Sequence, residues 1–93
     1  MSDPLRVHAT SLFRADVRRL RRRGLDLAAL RGVLRLLATR QTLPRALRDH
    51  ALTGNYRGYR ECHVAPDWLL IYRVEAGELL LVAFRTGSHS DLF

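Results

Sequence analysis

Gly58-Tyr59-Arg60-Glu61-Cys62-His63-Val64-Ala65-Pro66-Asp67-Trp68-Leu69-Leu70-Ile71-Tyr72-Arg73-Val74 holds two apolar runs split by one proline turn. Residues 58–64 and 68–74 each have the length and pattern of a strand. The turn Ala65-Pro66-Asp67 is too short for a crossover helix, so the two strands must lie antiparallel. A third run, Glu78–Phe84, follows the turn Glu75-Ala76-Gly77 and extends the meander.

Upstream of this meander, residues 45–56 show no period, and Gly54-Asn55 and Gly58 mark an irregular loop. Before it, Leu27, Leu30, Val33, Leu34 and Leu37 form the wide apolar stripe of a helix capped by Asp26 and closed by Thr42-Leu43-Pro44. Phe13, Val17 and Leu20 recur at helical spacing with arginines opposite, from a Thr10 or Ser11 cap to Gly24. The tight Arg23-Gly24-Leu25 connection makes the two helices an antiparallel hairpin. Leu5, Val7 and Ala9 alternate with Arg6 and His8 as a first strand. Residues 85–93 are a polar loop with room for a helical turn. The order β-α-α-β-β-β predicts an α+β fold in one domain over residues 1–93: a helical hairpin packed on one face of a mostly antiparallel sheet.

Ninety-three residues fit one domain with a core of limited size, and an apolar fraction of 47% argues against disorder. No run approaches the roughly 20 apolar residues of a membrane span. Met1–Arg6 lacks the apolar stretch of a secretory signal. A single cysteine, Cys62, excludes an internal disulfide and fits a reducing compartment, so the cytoplasm is the expected location.

Sixteen basic side chains against nine acidic ones give a net charge of +7, and every basic residue is arginine. Arginine grips phosphate with a planar fork and stacks on bases, although a GC-rich genome would also favour its codons. The surplus charge points to a polyanionic partner, nucleic acid first. No Trp- or Phe-rich face accompanies the basic segment, so no membrane partner is expected. The densest run, Arg18-Arg19-Leu20-Arg21-Arg22-Arg23, would contact phosphates without reading sequence, or would serve only as a solvated helix face.

His50, His63, Asp67, Arg85 and His89 stand in the polar joints of the C-terminal half. Alternation puts Tyr59, Glu61 and His63 on one strand face and Arg60, Cys62 and Val64 on the other. Cys62 and His63 therefore point apart; without a second cysteine no metal site is expected, and Cys62 fills core. RNA cleavage without metal needs a base for the 2′-hydroxyl, an acid for the departing 5′-oxygen, and cations for the crowded phosphorane-like transition state. Histidine suits either proton step, because its unperturbed pKa is about 6.5. Arginine suits the third.

Arg85 precedes the Gly87 loop that carries His89, His63 and Asp67 flank the Pro66 turn, and His50 comes from the preceding loop. All five could border one cleft, with no cofactor required. Structural alternatives stand beside these roles: Asp67 could merely shape its turn, and Arg85 could merely pair with Asp91. His8 lacks such company and is read as structural. Tyr56, Tyr59, Trp68, Tyr72 and Phe93 could stack on bases. Trp68 and Tyr72 share a strand face and are assigned to the core, which leaves Phe93 as the preferred stacker.

Three stretches resemble YafQ-type toxins of the RelE/ParE superfamily: Arg48-Asp49-His50-x-Leu52-x-Gly54, Gly58 to Tyr72, and Arg85-Thr86-Gly87-Ser88-His89-Ser90-Asp91-Leu92-Phe93. The pairing of His-x-x-Pro-Asp-Trp with Arg-Thr-Gly-x-His is the specific part. The resemblance implies a RelE-like fold and a ribosome-dependent mRNA endonuclease that cuts in the A site and halts translation. His50, His63, Asp67 and His89 would share the acid–base work, with His89 as acid and Asp67 or His50 as base. Arg85 would hold the scissile phosphate and Phe93 would orient bases. Arg48, Arg60, Arg18 and Arg22 would bind RNA where family members carry several lysines. The implied partners are the ribosome with its mRNA and a cognate antitoxin, DinJ- or RelB-like, acidic, with a ribbon-helix-helix DNA-binding part. The free toxin would be a monomer and the pair a hetero-oligomer.

Two other functions fit the same fold. A ParE-like gyrase inhibitor would bind without cutting RNA and would have no use for proton-transfer groups. A passive nucleic-acid binder driven by the arginines would show steep salt dependence and indifference to loss of the histidines.

Overall fold

The computed structural model describes residues 3–93. The chain runs β1 (Arg6–Ala9), α1 (Ser11–Arg22), α2 (Leu27–Ala38), β2 (His50–Ala51), β3 (Arg60–Ala65), β4 (Trp68–Glu75), β5 (Leu80–Gly87) and α3 (His89–Leu92). α1 begins where the Thr10 hydroxyl accepts the Phe13 N–H, and it gives way at Gly24, whose φ of +83° suits a residue without Cβ. The same hydroxyl donates to the Phe84 carbonyl at 2.9 Å, tying the helix start to β5. Asp26 caps α2 through the Ala28 N–H. α2 closes at Ala38, ahead of the expected Pro44 stop: the Thr39 hydroxyl folds back on the Arg35 carbonyl and Arg40 turns left-handed at φ 60°.

The sheet order is β1-β5-β4-β3-β2, antiparallel throughout except for the parallel β1–β5 pair. The helical hairpin is the crossover that a parallel pair needs. The α+β architecture read from the sequence is therefore the one observed. Two expectations are corrected. Residues 45–56 are not wholly irregular: His50 pairs with Glu61 and Ala51 with Arg60, forming a two-residue edge strand between short 3-10 turns. The last strand is shifted, because Ala76–Glu78 forms a turn and β5 continues to Gly87, so Arg85 lies inside it.

A bulge interrupts the β4–β5 ladder. Tyr72 faces Ala83 while the neighbouring Ile71 faces Arg85, which leaves Phe84 as the extra residue. Two apolar clusters result, one on each side of the sheet. Phe13, Leu20, Leu30 and Val33 of the hairpin pack on Cys62, Trp68, Leu70, Tyr72, Leu81 and Ala83. On the opposite face Leu69, Ile71 and Leu92 pack with Leu52, Tyr56, Tyr59 and Phe84. Among the described residues, α3 and the 50s segment cover that second face. Among the described residues no helix is long and apolar enough to cross a membrane.

Candidate active site

β3 builds the centre of the site by alternation. Cys62 points into the hairpin core, so Glu61 and His63 point to the other face. β2 pairs His50 opposite Glu61. Glu61 is 5% exposed and lies between two imidazoles, its Oε1 being 3.7 Å from His50 Nε2 and 3.8 Å from His63 Nε2. These separations are ion-pair distances, longer than hydrogen bonds. The tight β3–β4 turn supplies Asp67, and α3 supplies His89. The ring centroids of His63 and His89 stand 5.9 Å apart.

Each imidazole is fixed by its Nδ1 nitrogen. His50 Nδ1–H donates to the Arg48 carbonyl at 2.7 Å, and His63 Nδ1–H donates to the Pro66 carbonyl at 3.3 Å. His89 Nδ1–H donates to Asp67 Oδ1 at 2.8 Å, an oxygen that also accepts the His89 backbone N–H at 3.1 Å. A carbonyl or a carboxylate can only accept, so in all three rings Nε2 is the nitrogen left without a hydrogen bond, and in His50 and His63 it faces Glu61. The two bonds from His89 hold the Asp67 carboxyl below the usual carboxylate range. Asp67 is thereby a weak base and a firm anchor for His89.

α3 is short but well seated. Ser88 and Asp91 form a capping box, and Asp91 also takes a fork of bonds from Arg23 at 2.8 and 3.1 Å. These partners push the Asp91 carboxyl far below its ordinary value. Gly87 is required where α3 folds back, since a Cβ there would stand 2.9 Å from the Asp91 side chain. Leu92 anchors the turn in the apolar cluster, and Phe93 is left 62% exposed, its ring 6.5 Å from His89 and 5.3 Å from Tyr56. His63, His89 and Phe93 thus follow one another across the surface. A groove of ≈ 440 Å³ opens beside His63, lined also by Leu47, Arg48 and Pro66. A second, of ≈ 470 Å³, opens between Tyr56 and Phe93.

The sequence-predicted residues do not all converge. His50, His63, Asp67 and His89 share one face, and Phe93 and Arg48 border it. Arg85 is held by a partner other than the one expected: it pairs with Asp16, while Asp91 pairs with Arg23. Arg60 lies on the hairpin side of β3 and gives two donors to Asp49, which also accepts from the Tyr72 hydroxyl. Arg18 and Arg22 are exposed on α1 and, among the described residues, contact none of the histidines. Trp68 and Tyr72 are core residues, and Tyr59 stacks on Phe84 with 4.5 Å between centroids. His8 is exposed on the edge strand β1.

The sequence model described as "Bacterial toxin of type II toxin-antitoxin system, YafQ" matches residues 5–93. The chain belongs to the YafQ toxin family. The mRNA interferase toxin YafQ of Escherichia coli K12 is 39% identical over 88 residues, covering 94% of each chain. The YafQ-family architecture recurs in the crystal structure of the E. coli DinJ–YafQ toxin–antitoxin complex, at 35% identity and a TM-score of 0.86 over 97% of this chain and 98% of that one. It recurs also in the crystal structure of a metal-bound toxin from Helicobacter pylori, at 40% identity and a TM-score of 0.90 over 96% and 99% of the two chains. Within this YafQ-type site, sequence reasoning placed Glu61 on the His63 face without giving it a role, and missed Asp16 altogether. A signal for Asp16 was present: it stands beside Val17 on the stripe defined by Phe13 and Leu20, where a carboxylate is out of character.

Proposed function

We propose that the chain is the toxin of a type II toxin–antitoxin pair and an mRNA interferase, an endoribonuclease that cuts mRNA in the ribosomal A site. The observation that carries this reading is the cluster of three imidazoles on one accessible face, each anchored through Nδ1 with Nε2 left for proton transfer. His89, as imidazolium bonded to the Asp67 carboxylate, gives its Nε2 proton to the departing 5′-oxygen. His63 faces it at 5.9 Å and takes the 2′-hydroxyl proton at Nε2, with buried Glu61 balancing the charge it gains. The 2′-oxygen bonds to phosphorus as the bond to the 5′-oxygen breaks, leaving a 2′,3′-cyclic phosphate and a 5′-hydroxyl.

The assignment of His63 as base departs from the expected choice of Asp67 or His50. Asp67 is spent on His89, and His50 is separated from the His63–His89 pair by Glu61. Arg85 neutralises the phosphate, Phe93 stacks on a base beside the Tyr56 groove, and Arg48 lines the path past His63. Arg18 and Arg22, remote from the histidines, serve contact with the ribosome's phosphates, and Arg60 contributes through its fixed place beside Asp49. The antitoxin is an acidic DinJ-like protein that covers the basic face in a hetero-oligomer; the net charge of +7 and the relative's complex support it. The site of action is the cytoplasm, where ribosomes are.

The test is to map the 5′ ends of mRNA in a translating extract with wild type and with His89→Gln. Wild type should cut at discrete positions. The variant, folded by circular dichroism, should cut about 10²–10⁴-fold more slowly. Unimpaired cutting by the variant would remove His89 from the mechanism. An uncut message with DNA synthesis arrested would favour the gyrase inhibitor.

A further inference from the structure

Asp16 is 1% exposed on the apolar stripe of α1, and a carboxylate in that position must be fully compensated. It accepts four hydrogen bonds. Oδ2 takes Arg85 Nε at 2.7 Å and the Thr86 backbone N–H at 3.1 Å, and Oδ1 takes Arg85 Nη2 at 3.1 Å and Arg19 Nη2 at 3.0 Å. Two donors from one edge of Arg85 fix the plane of its guanidinium. Its Nη1 donates to no protein acceptor among the described residues, and the side chain keeps 21% exposure. Tyr56, which lines the groove beside Phe93, lies within electrostatic reach of that guanidinium.

Thr86 extends the arrangement. Its hydroxyl accepts the Trp68 indole N–H at 2.9 Å and donates to the Leu69 carbonyl at 2.7 Å, so the strand end that leads to His89 is clamped from both sides. A cation that stabilises transition-state charge is effective when its orientation is set before the substrate arrives. We propose that Asp16 is a positioning residue of the catalytic centre: its carboxylate grips one edge of Arg85 so that the Nη1 edge meets the scissile phosphodiester. The Thr86 amide, bonded to Oδ2, holds that carboxylate in place for the grip. The inference rests on the assignment of Arg85 to the phosphate made above.

A double-mutant cycle separates positioning from plain fold support. Asp16→Asn keeps the volume and one acceptor but can no longer take both donors of the Arg85 edge. In the translating extract it should lower the cleavage rate at saturating toxin by about 10- to 100-fold. The half-saturating concentration should stay within about twofold. Because the loss runs through Arg85, the variant Asp16→Asn/Arg85→Gln should cut no more slowly than Arg85→Gln alone. Multiplied losses in the double variant, or full activity in Asp16→Asn, would overturn the proposal. A second measurement uses the wild type alone. Hydrogen exchange of arginine Nε–H groups by NMR should find Arg85 at least about tenfold slower than exposed Arg18 and Arg22. Equal exchange would overturn it even if Asp16→Asn did not fold. If the wild type cut no message, the nuclease reading would fail while the exchange rates still decided whether the clamp exists.

Discussion

The two faces of β3 contrast sharply, whereas β4 buries apolar side chains on both. Cys62, Leu70 and Tyr72 look into the hairpin and are sealed by apolar contacts. Glu61 and His63, one residue from Cys62 on either side, lie on the other face, where buried Glu61 meets two imidazoles by charge and His63 is held by a hydrogen bond. The first face is organised by burial, which is non-directional and tolerates repacking. The second depends on direction: an imidazole whose Nδ1 lost its acceptor would sit at the same place with the wrong nitrogen presented. Stability and chemistry are thereby assigned to alternate residues of one strand, so each can be perturbed with little effect on the other.

Leu70→Ala is the strongest way to break this division from the hairpin side. Leu70 is fully buried between sheet and helices. Its truncation should cost about 2–5 kcal/mol, measured by urea unfolding. The cleavage rate per folded molecule should stay near that of the wild type. A rate loss comparable to that of His89→Gln, with the protein still folded, would mean that the faces are coupled.

Asp91→Asn acts where the helical hairpin and α3 meet, since Asp91 bonds to Arg23, the residue that ends α1, and caps α3. The variant should lose about 1 kcal/mol at neutral pH, read as a lower melting temperature. Its acid response carries the sign of a depressed carboxyl. The stabilisation is complete above the ordinary Asp pKa of about 3.9, and it is lost as pH falls from there toward the lower folded-state value. The wild type should therefore lose its advantage over Asp91→Asn progressively as pH falls below about 4. A constant difference across that range would contradict the ion pair.

The smallest effect is expected at Cys62. Burial, reinforced by the Asp49 and Glu61 carboxylates, pushes its thiol up to about 12. At pH 8 iodoacetamide should leave it unmodified in the native protein and label it on unfolding, read by mass spectrometry. Rapid native labelling would show that the hairpin face opens readily.

Much of this was legible in the chain. The two-residue period of 58–64 told His63 from Cys62, and the Pro66 turn set β3 against β4. The stripes of Phe13, Val17 and Leu20 and of Leu27 to Leu37 marked both helices. The loop over 45–56 hid β2, because a strand of two residues has no period to detect. Arg85 was placed one element too late, because the Phe84 bulge displaces β5 and a bulge carries no sequence signature at that length. The structural alternative offered for it, a pair with Asp91, fails for a related reason: Asp91 is six residues from Arg85 in the chain and Asp16 is 69, yet the distant one makes the contact.

By itself the sequence determined the periods, the turns, the arginine-only charge, and the histidines, acids and terminal aromatic available to act. These are local properties, written in the spacing of neighbouring side chains. The fold in three dimensions decided the rest: which nitrogen of each ring is free, which carboxylate grips Arg85, and that His63 and His89 face each other. Such pairings join residues far apart along the chain. They are set by how the hairpin, the bulge and the last helical turn pack, which no local spacing records.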